Sequence, residues 1–182
     1  EEPTIAQLGS VQSVADQIRA VEVNNPNLNP QQVLSVVAAQ YPSASGLNSQ
    51  QVQGGYKFNT RFVYTSQKGF VDQAHFFRSA KYPSYGISLG GGYLVEYVQR
   101  RGIISGQQGS GFSYEDLPSN FLGTRFGRGI TSNEPLSKQY ENFVYGLGGS
   151  DNPQADVPSN VLATLPKDQQ SATRLPSEKT KY

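Results

Sequence analysis

Asp72 and His75 are the residues of this chain best suited to chemistry, because His75 is its one histidine and an acid precedes it by three positions. On a helix, that spacing places both side chains on one face. Three roles are open to the pair: Asp72 orients His75 as a general base, both residues bind one metal ion, or they form a buried hydrogen-bonded pair that fixes helix packing. Phe70, Phe76 and Phe77 surround the histidine in sequence, which is typical of a packing role.

Further carboxylates extend the candidate site. Glu96 interrupts an apolar run, and an acid among apolar residues requires a partner when it is buried. Glu115 and Asp116 begin a predicted helix, where the helix dipole stabilises negative charge. We therefore expect catalytic roles for Asp72, His75, Glu96 and Glu115.

A second group of residues is expected to bind substrate or shape the pocket. This group consists of Arg78, Asp116, Ser119 and Asn120. A divalent metal is the cofactor that such a site admits, and its candidate ligands are Asp72, His75 and Glu96. Structural alternatives stand beside these roles: Glu96 pairs with a nearby arginine, Asp116 caps a helix, and Ser119 and Asn120 form loop hydrogen bonds.

The elements that must position these residues are mostly helical. Apolar residues recur at steps of three and four, with Pro, Asn or Gly at the ends of each run. One stretch alternates with period two, which predicts a strand. The predicted helices cover residues 4–22 with Thr4 as N-cap, 30–41, 71–80 and 93–101, and the predicted strand covers 56–64. A further helix begins at Asp116 or Pro118 and ends at Gly127, and a last one covers 134–145 with Asn133 or Ser132 as its cap.

The predicted fold is mainly α, in the α+β class, with one strand or a small hairpin. Residues 1–149 form one compact helical domain, with an N-terminal helical hairpin at 4–41, a motif core at 56–130 and a last helix at 134–145. Residues 150–182 carry dispersed prolines in polar sequence, which predicts an extended or disordered arm. Such an arm offers a surface for protein partners.

Composition excludes several classes of function. The 182-residue chain has no cysteine, so thiolate metal sites and cysteine nucleophiles are excluded. Its formal net charge of +1 predicts no nucleic-acid surface, and no apolar run is long enough to span a membrane. The sequence also lacks the HExxH, Walker and GxSxG motifs.

One nine-residue pattern occurs twice in the chain. Residues 116–124 and 156–164 share Asp, Pro-Ser-Asn, Leu and Thr at matching positions. Proline in the first turn suits a helix entry, so the match is explained by chance or by shared local structure at two helix entries. Shared local structure would weaken a chemical role for Asp116, Ser119 and Asn120.

The stretch from Phe62 to Ile130 resembles a poorly characterised family of bacterial proteins. The family pattern is Tyr-Thr, then Gly-Phe/His-Ile/Val-Asp-x-x-His with a nearby Arg, a helical Glu, and Ser-x-Phe-Ser-x-Glu-Asp-x-x-Ser-Asn-x-x-Gly. In this chain it corresponds to Tyr64-Thr65, Gly69 to His75, Arg78, Glu96 and Ser110 to Gly123. The resemblance implies an exported or envelope-associated bacterial protein, similar to cargo of contractile injection systems. It transfers positions and not a reaction.

Two functions are expected from these observations, and a ligand-binding module that uses the same pocket is a third alternative. The first is a hydrolase-like or metal-assisted enzyme whose base or ligand is His75. The second is a non-catalytic structural or cargo component of a bacterial assembly, which docks through its extended termini.

Overall fold

The computed structural model describes residues 3–41, 60–83 and 116–167. Over these ranges the chain is mainly helical with a small three-stranded sheet, which confirms the predicted fold class. After a 3-10 helix at Ile5–Gln7, the strands are β1 Leu8–Gly9, β2 Phe62–Thr65 and β3 Gly69–Asp72. The helices are α1 Val11–Asn24, α2 Pro30–Gln40, α3 Gln73–Lys81, α4 Asp116–Gly129, α5 Leu136–Tyr145, α6 Pro153–Asp156 and α7 Ser159–Leu162.

The N-terminal helix begins later than the apolar periodicity predicts. Its cap is Ser10 and not Thr4, because the Ser10 side chain accepts a hydrogen bond from Ser13 N at 2.9 Å, while the Ser13 hydroxyl accepts one from Ser10 N at 3.1 Å. This reciprocal box fixes the start of α1, and the preceding residues form β1 instead. The start predicted for α2 is confirmed, with Asn29 as its cap and Pro30 as its first residue.

Helix α5 begins at Leu136, two residues after the predicted start at Glu134, and its first turn is capped from another helix. The carboxylate of Glu22, on α1, accepts hydrogen bonds from Ser137 N at 2.9 Å and from Ser137 Oγ at 2.7 Å. A negatively charged group near the N-terminus of a helix is stabilised by the positive end of the helix dipole. The predicted cap, Asn133 or Ser132, is therefore wrong: the N-cap residue is Pro135, which makes no side-chain cap hydrogen bond, and the acceptor for the first turn is Glu22.

Strand β2 is the centre of the sheet. It pairs in parallel with β1 and in antiparallel with β3, with Phe62 opposite Asp72. Because neighbouring side chains point to opposite faces, Val63 and Val71 join the main helical core, while Phe62 and Phe70 join a second apolar cluster. Of the predicted strand, residues 56–59 lie outside the described residues.

Residues 150–167 differ from the extended or disordered arm that the sequence predicts. They contain α6 and α7 and cover the second face of the sheet, where Val157 and Leu165 pack in the cluster with Phe62 and Phe70. Backbone hydrogen bonds join Ile5 N to Pro166 O at 2.9 Å, and Ser150 N to Tyr64 O at 2.9 Å. Spaced apolar residues therefore dock this segment; residues 168–182 of the predicted arm lie outside the described residues.

The main core is built around aromatic rings on α3, α4 and α5. Phe76, Phe77 and Tyr140 are fully buried, with ring centroids 5.2–5.9 Å apart. The Tyr140 hydroxyl donates a hydrogen bond to Gln73 Oε1 at 2.8 Å, which satisfies two buried polar groups. This core holds α3, and with it the candidate site, against α5.

Among the helices of residues 3–41, 60–83 and 116–167, none has the length and apolar character needed to span a membrane.

Alkaline pH is expected to destabilise this core through its tyrosines. Burial raises the pKa of Tyr41 and Tyr140 well above the ordinary value. Tyr145 is more exposed, and its pKa is raised to about 12, first by partial desolvation and second by its hydrogen bond to Asp151. The folded state therefore keeps protons that the unfolded chain releases above about pH 10. The stability these groups contribute is complete below that pH and is lost as pH rises further.

The measurement is the urea-unfolding midpoint at several pH values between about 8 and about 11. We expect the midpoint to fall steeply in the upper part of this range, and the fall to be smaller in Tyr140→Phe. A midpoint that stays constant through the tyrosine titration would contradict the prediction.

Candidate functional site

Helix α3 begins directly after β3, and Asp72 is the residue between them. It is the N-cap of α3, and its carboxylate accepts hydrogen bonds from Ala74 N at 2.9 Å and His75 N at 3.4 Å. The predicted pairing of Asp72 and His75 side chains on one helix face is therefore wrong. A capping carboxylate folds back onto the backbone of the first turn, so it stabilises the helix and does not orient the imidazole.

The same carboxylate forms an ion pair with Arg61. Arg61 Nη2 lies 3.1 Å and Arg61 Nε 3.2 Å from Asp72 Oδ2. The Asp72 side chain is fully buried and that of Arg61 is 11% exposed, so the pair is largely removed from water. Both oxygens are engaged, and a divalent cation there would face a guanidinium at contact distance. Asp72 therefore does not fit the predicted role of metal ligand.

His75 instead has an amide as its ring partner. His75 Nδ1 lies 3.3 Å from Asn120 Oδ1, and the Ser79 hydroxyl donates to the same oxygen at 2.8 Å. An amide oxygen only accepts, so His75 Nδ1 carries the proton and Nε2 is the basic nitrogen. The residue is 8% exposed. The amide thus fixes both the tautomer and the orientation of the ring.

The helices that carry this network, α3 and α4, meet at unusually close range. Ser119 Oγ accepts a hydrogen bond from Asp72 N at 2.9 Å. One turn along, a Cβ on Gly123 would lie under 3.0 Å from the carbonyl of Phe76, and after another turn a Cβ on Gly127 would lie under 3.0 Å from that of Ala80. Equal steps of four on both helices mean that they run in parallel.

Small residues are therefore a requirement of this contact. The sequence signal for it is Ser119-x-x-x-Gly123-x-x-x-Gly127, a spacing that places all three residues on one face of a helix. Sequence reasoning used Ser119 as a binding residue and missed the two glycines. The structure gives Ser119 a packing role, since its hydroxyl satisfies the backbone N–H of the N-cap residue.

The other predicted site residues have different positions. Arg78 is exposed on α3, one turn after His75. Asp116 is the first residue of α4, which confirms the predicted helix start. Glu96 and Glu115 lie outside the described residues. Within residues 3–41, 60–83 and 116–167, no group of three acidic or histidine side chains is placed to hold a metal ion.

The structure thus brings four predicted residues to one helix contact: Asp72, His75, Ser119 and Asn120. It divides them into two roles. Asp72 and Ser119 fix the start of α3, while His75 and Asn120 form a hydrogen-bonded pair on one side of the contact. Comparison of the chain with protein-family models, with curated proteins and with solved structures gave no significant match.

Proposed function

We propose that this protein is a hydrolase-like enzyme in which His75 is the general base. The observation that carries the proposal is the pairing of His75 Nδ1 with Asn120 Oδ1 at 3.3 Å. With Nδ1 protonated in this pairing, Nε2 is the nitrogen that we assign to taking a proton from water or from a substrate hydroxyl. Ser79 shares the amide oxygen at 2.8 Å and holds the amide in place.

The support behind this pair fits a catalytic site. The two residues stand on different helices, and both helices are positioned by buried contacts that leave little freedom: the Asp72 cap, the Arg61 ion pair and the glycine contacts of α4. A catalytic group needs such a rigid supporting layer, because small displacements reduce the rate severely. Asp72 acts at one remove, as a positioning residue.

The remaining predicted residues keep their proposed roles. Glu96 and Glu115 are proposed as a second base or as ligands, and exposed Arg78 as a group that binds an anionic part of the substrate. Because Asp72 does not fit a metal ion, we derive no step through one. The resemblance to a bacterial family supports an exported or envelope-associated location as part of this proposal.

The test is hydrolysis of a simple activated ester, p-nitrophenyl acetate, by wild type and by His75→Gln. We expect the variant to lose about 10²- to 10⁴-fold in rate, the usual contribution of a general base, while circular dichroism and the melting temperature remain close to wild type. Arg128→Gln is the matched control, since this residue is exposed near the end of α4.

Equal rates for wild type and His75→Gln would contradict the proposal. Absence of ester, amide and phosphoester hydrolysis by the wild type would also contradict it. Unfolding of His75→Gln, with His75→Asn and His75→Ala equally unfolded, would assign the imidazole to packing.

A second candidate function is a structural or cargo component of a bacterial assembly without catalysis. One observation favours it: Asp72 and Ser119, two of the residues expected in the site, are fully buried and serve helix packing. In this case the motif would exist to fix the fold. Retention of the fold together with complete lack of hydrolysis by the wild type supports this candidate.

A further inference from the structure

A row of polar side chains lines one side of the contact between α3 and α4, and we call it the polar seam. It consists of His75 and Ser79 on α3 and of Asn120 and Thr124 on α4. Each helix contributes two residues four positions apart, so each pair lies on one helix face, one turn apart. Asn120 is bonded to both α3 members, at 3.3 Å from His75 Nδ1 and 2.8 Å from Ser79 Oγ.

The hydrogen bonds within the polar seam do not use the two N–H donors of the Asn120 side-chain amide. Both α3 residues donate to Asn120 Oδ1, so they use the acceptor of this amide and not its two N–H donors. In the part of the chain that the structure describes, Asn120 Nδ2 has no hydrogen-bond acceptor. Asn120 as a whole is half-buried.

Thr124 provides the independent observation. Its side chain is 7% exposed, and its hydroxyl has no hydrogen-bond partner among the described residues. A threonine inside a helix can donate its hydroxyl to the carbonyl one turn earlier, and this one does not. Burial of an unpaired hydroxyl is unfavourable, so a hydroxyl in this state one turn from Asn120 Nδ2 indicates a place where an acceptor binds.

We propose that Asn120 Nδ2 and Thr124 Oγ1 together bind the oxygen atoms of an acyl group, as a carboxylate or as a carbonyl. Side chains four apart on a helix have Cβ atoms about 5–6 Å from each other, and the two donors can converge on such a group. The substrate class that follows rests on the proposed function. If His75 is a general base, an acyl oxygen held beside it makes esters, amides or their acid products the substrates. Binding itself is independent of catalysis.

The experiment titrates the full chain with sodium acetate and, in a second arm, with N-methylacetamide. The signal is the side-chain amide resonance pair of Asn120, identified by its loss in Asn120→Ala. We expect a saturable shift with acetate in the millimolar range. A shift with acetate alone assigns a carboxylate, and a shift in both arms assigns a neutral carbonyl as well.

Thr124→Val tests the hydroxyl with little change of shape. We expect about fivefold weaker acetate binding, which corresponds to one lost hydrogen bond, together with a higher melting temperature because an unpaired buried hydroxyl is gone. Thr124→Ser should restore the affinity. A merely structural hydroxyl would give a lower melting temperature in Thr124→Val and unchanged binding, which would overturn the inference.

The repeated nine-residue pattern supplies the matched control. Thr164 occupies the position of Thr124 in the second copy, but it is exposed and its hydroxyl donates to Val161 O at 2.7 Å. Thr164→Val should leave acetate binding unchanged. No saturable shift of Asn120 in either arm overturns the inference, whatever the ester assay shows. If acetate binds and His75→Gln retains full ester hydrolysis, the catalytic proposal is contradicted and the binding site is still supported.

Discussion

Asp72→Ala is expected to lower the free energy of unfolding by about 3–5 kcal/mol, the usual loss when one partner of a buried ion pair is removed. The carboxylate is fully buried, pairs with Arg61 at 3.1 Å and caps two backbone N–H groups of α3. Its removal leaves a largely buried guanidinium without this counter-charge and frees the start of the helix. Urea denaturation followed by circular dichroism measures the effect.

Asp72→Asn separates the two contributions. Asparagine caps a helix nearly as well as aspartate, so this variant loses the charge and keeps the cap. It should be more stable than Asp72→Ala by about 1 kcal/mol, the ordinary worth of an N-cap. If Asp72→Ala had wild-type stability and lost hydrolysis all the same, Asp72 would return to the catalytic group and the structural assignment would be wrong.

Gly123→Ala should be nearly as damaging, with a loss of at least about 2 kcal/mol. A methyl group at this position would lie under 3.0 Å from the backbone carbonyl of Phe76. Backbone cannot rotate away as a flexible side chain does, so α4 must move outward from α3. That displacement would also separate Asn120 from His75, and hydrolysis should fall along with stability.

Gly129→Ala is the control for helix propensity. It lies at the end of the same helix, and nothing would lie within 4 Å of its added Cβ. Alanine is the better helix former, so this variant should change stability by between zero and about 1 kcal/mol in the favourable direction. Gly127→Ala, whose Cβ would meet the carbonyl of Ala80, should resemble Gly123→Ala. Equal stability of Gly123→Ala and Gly129→Ala would contradict the close helix contact.

The predictions for Asp72 and Gly123 both concern the contact between α3 and α4. The capped start of α3 and the glycine face of α4 together set the distance across which His75 and Asn120 meet. Variants of either should therefore reduce hydrolysis through position and stability together. His75→Gln should reduce it with the fold retained, and that difference separates catalytic residues from positioning ones.

The sequence by itself determined the class of fold and the positions of interest. Apolar periodicity predicted α2, and start and stop signals such as the Asn29 cap and terminal Pro or Gly residues predicted the course of α2, α3 and α4, because these signals act between neighbours in the chain. The spacing of the two motifs also drew attention to Asp72, His75, Ser119 and Asn120, all of which lie at one contact.

Only the tertiary structure decided what each of these residues does. A spacing of three suggested that Asp72 and His75 share a helix face, but the carboxylate has its partners in Arg61 and the backbone, while the imidazole has its partner in Asn120, 45 residues away. Helix α5 is likewise capped by Glu22, which is 115 residues distant. Hydrogen bonds and ion pairs depend on distance in space, and sequence periodicity reports only distance along one helix or strand.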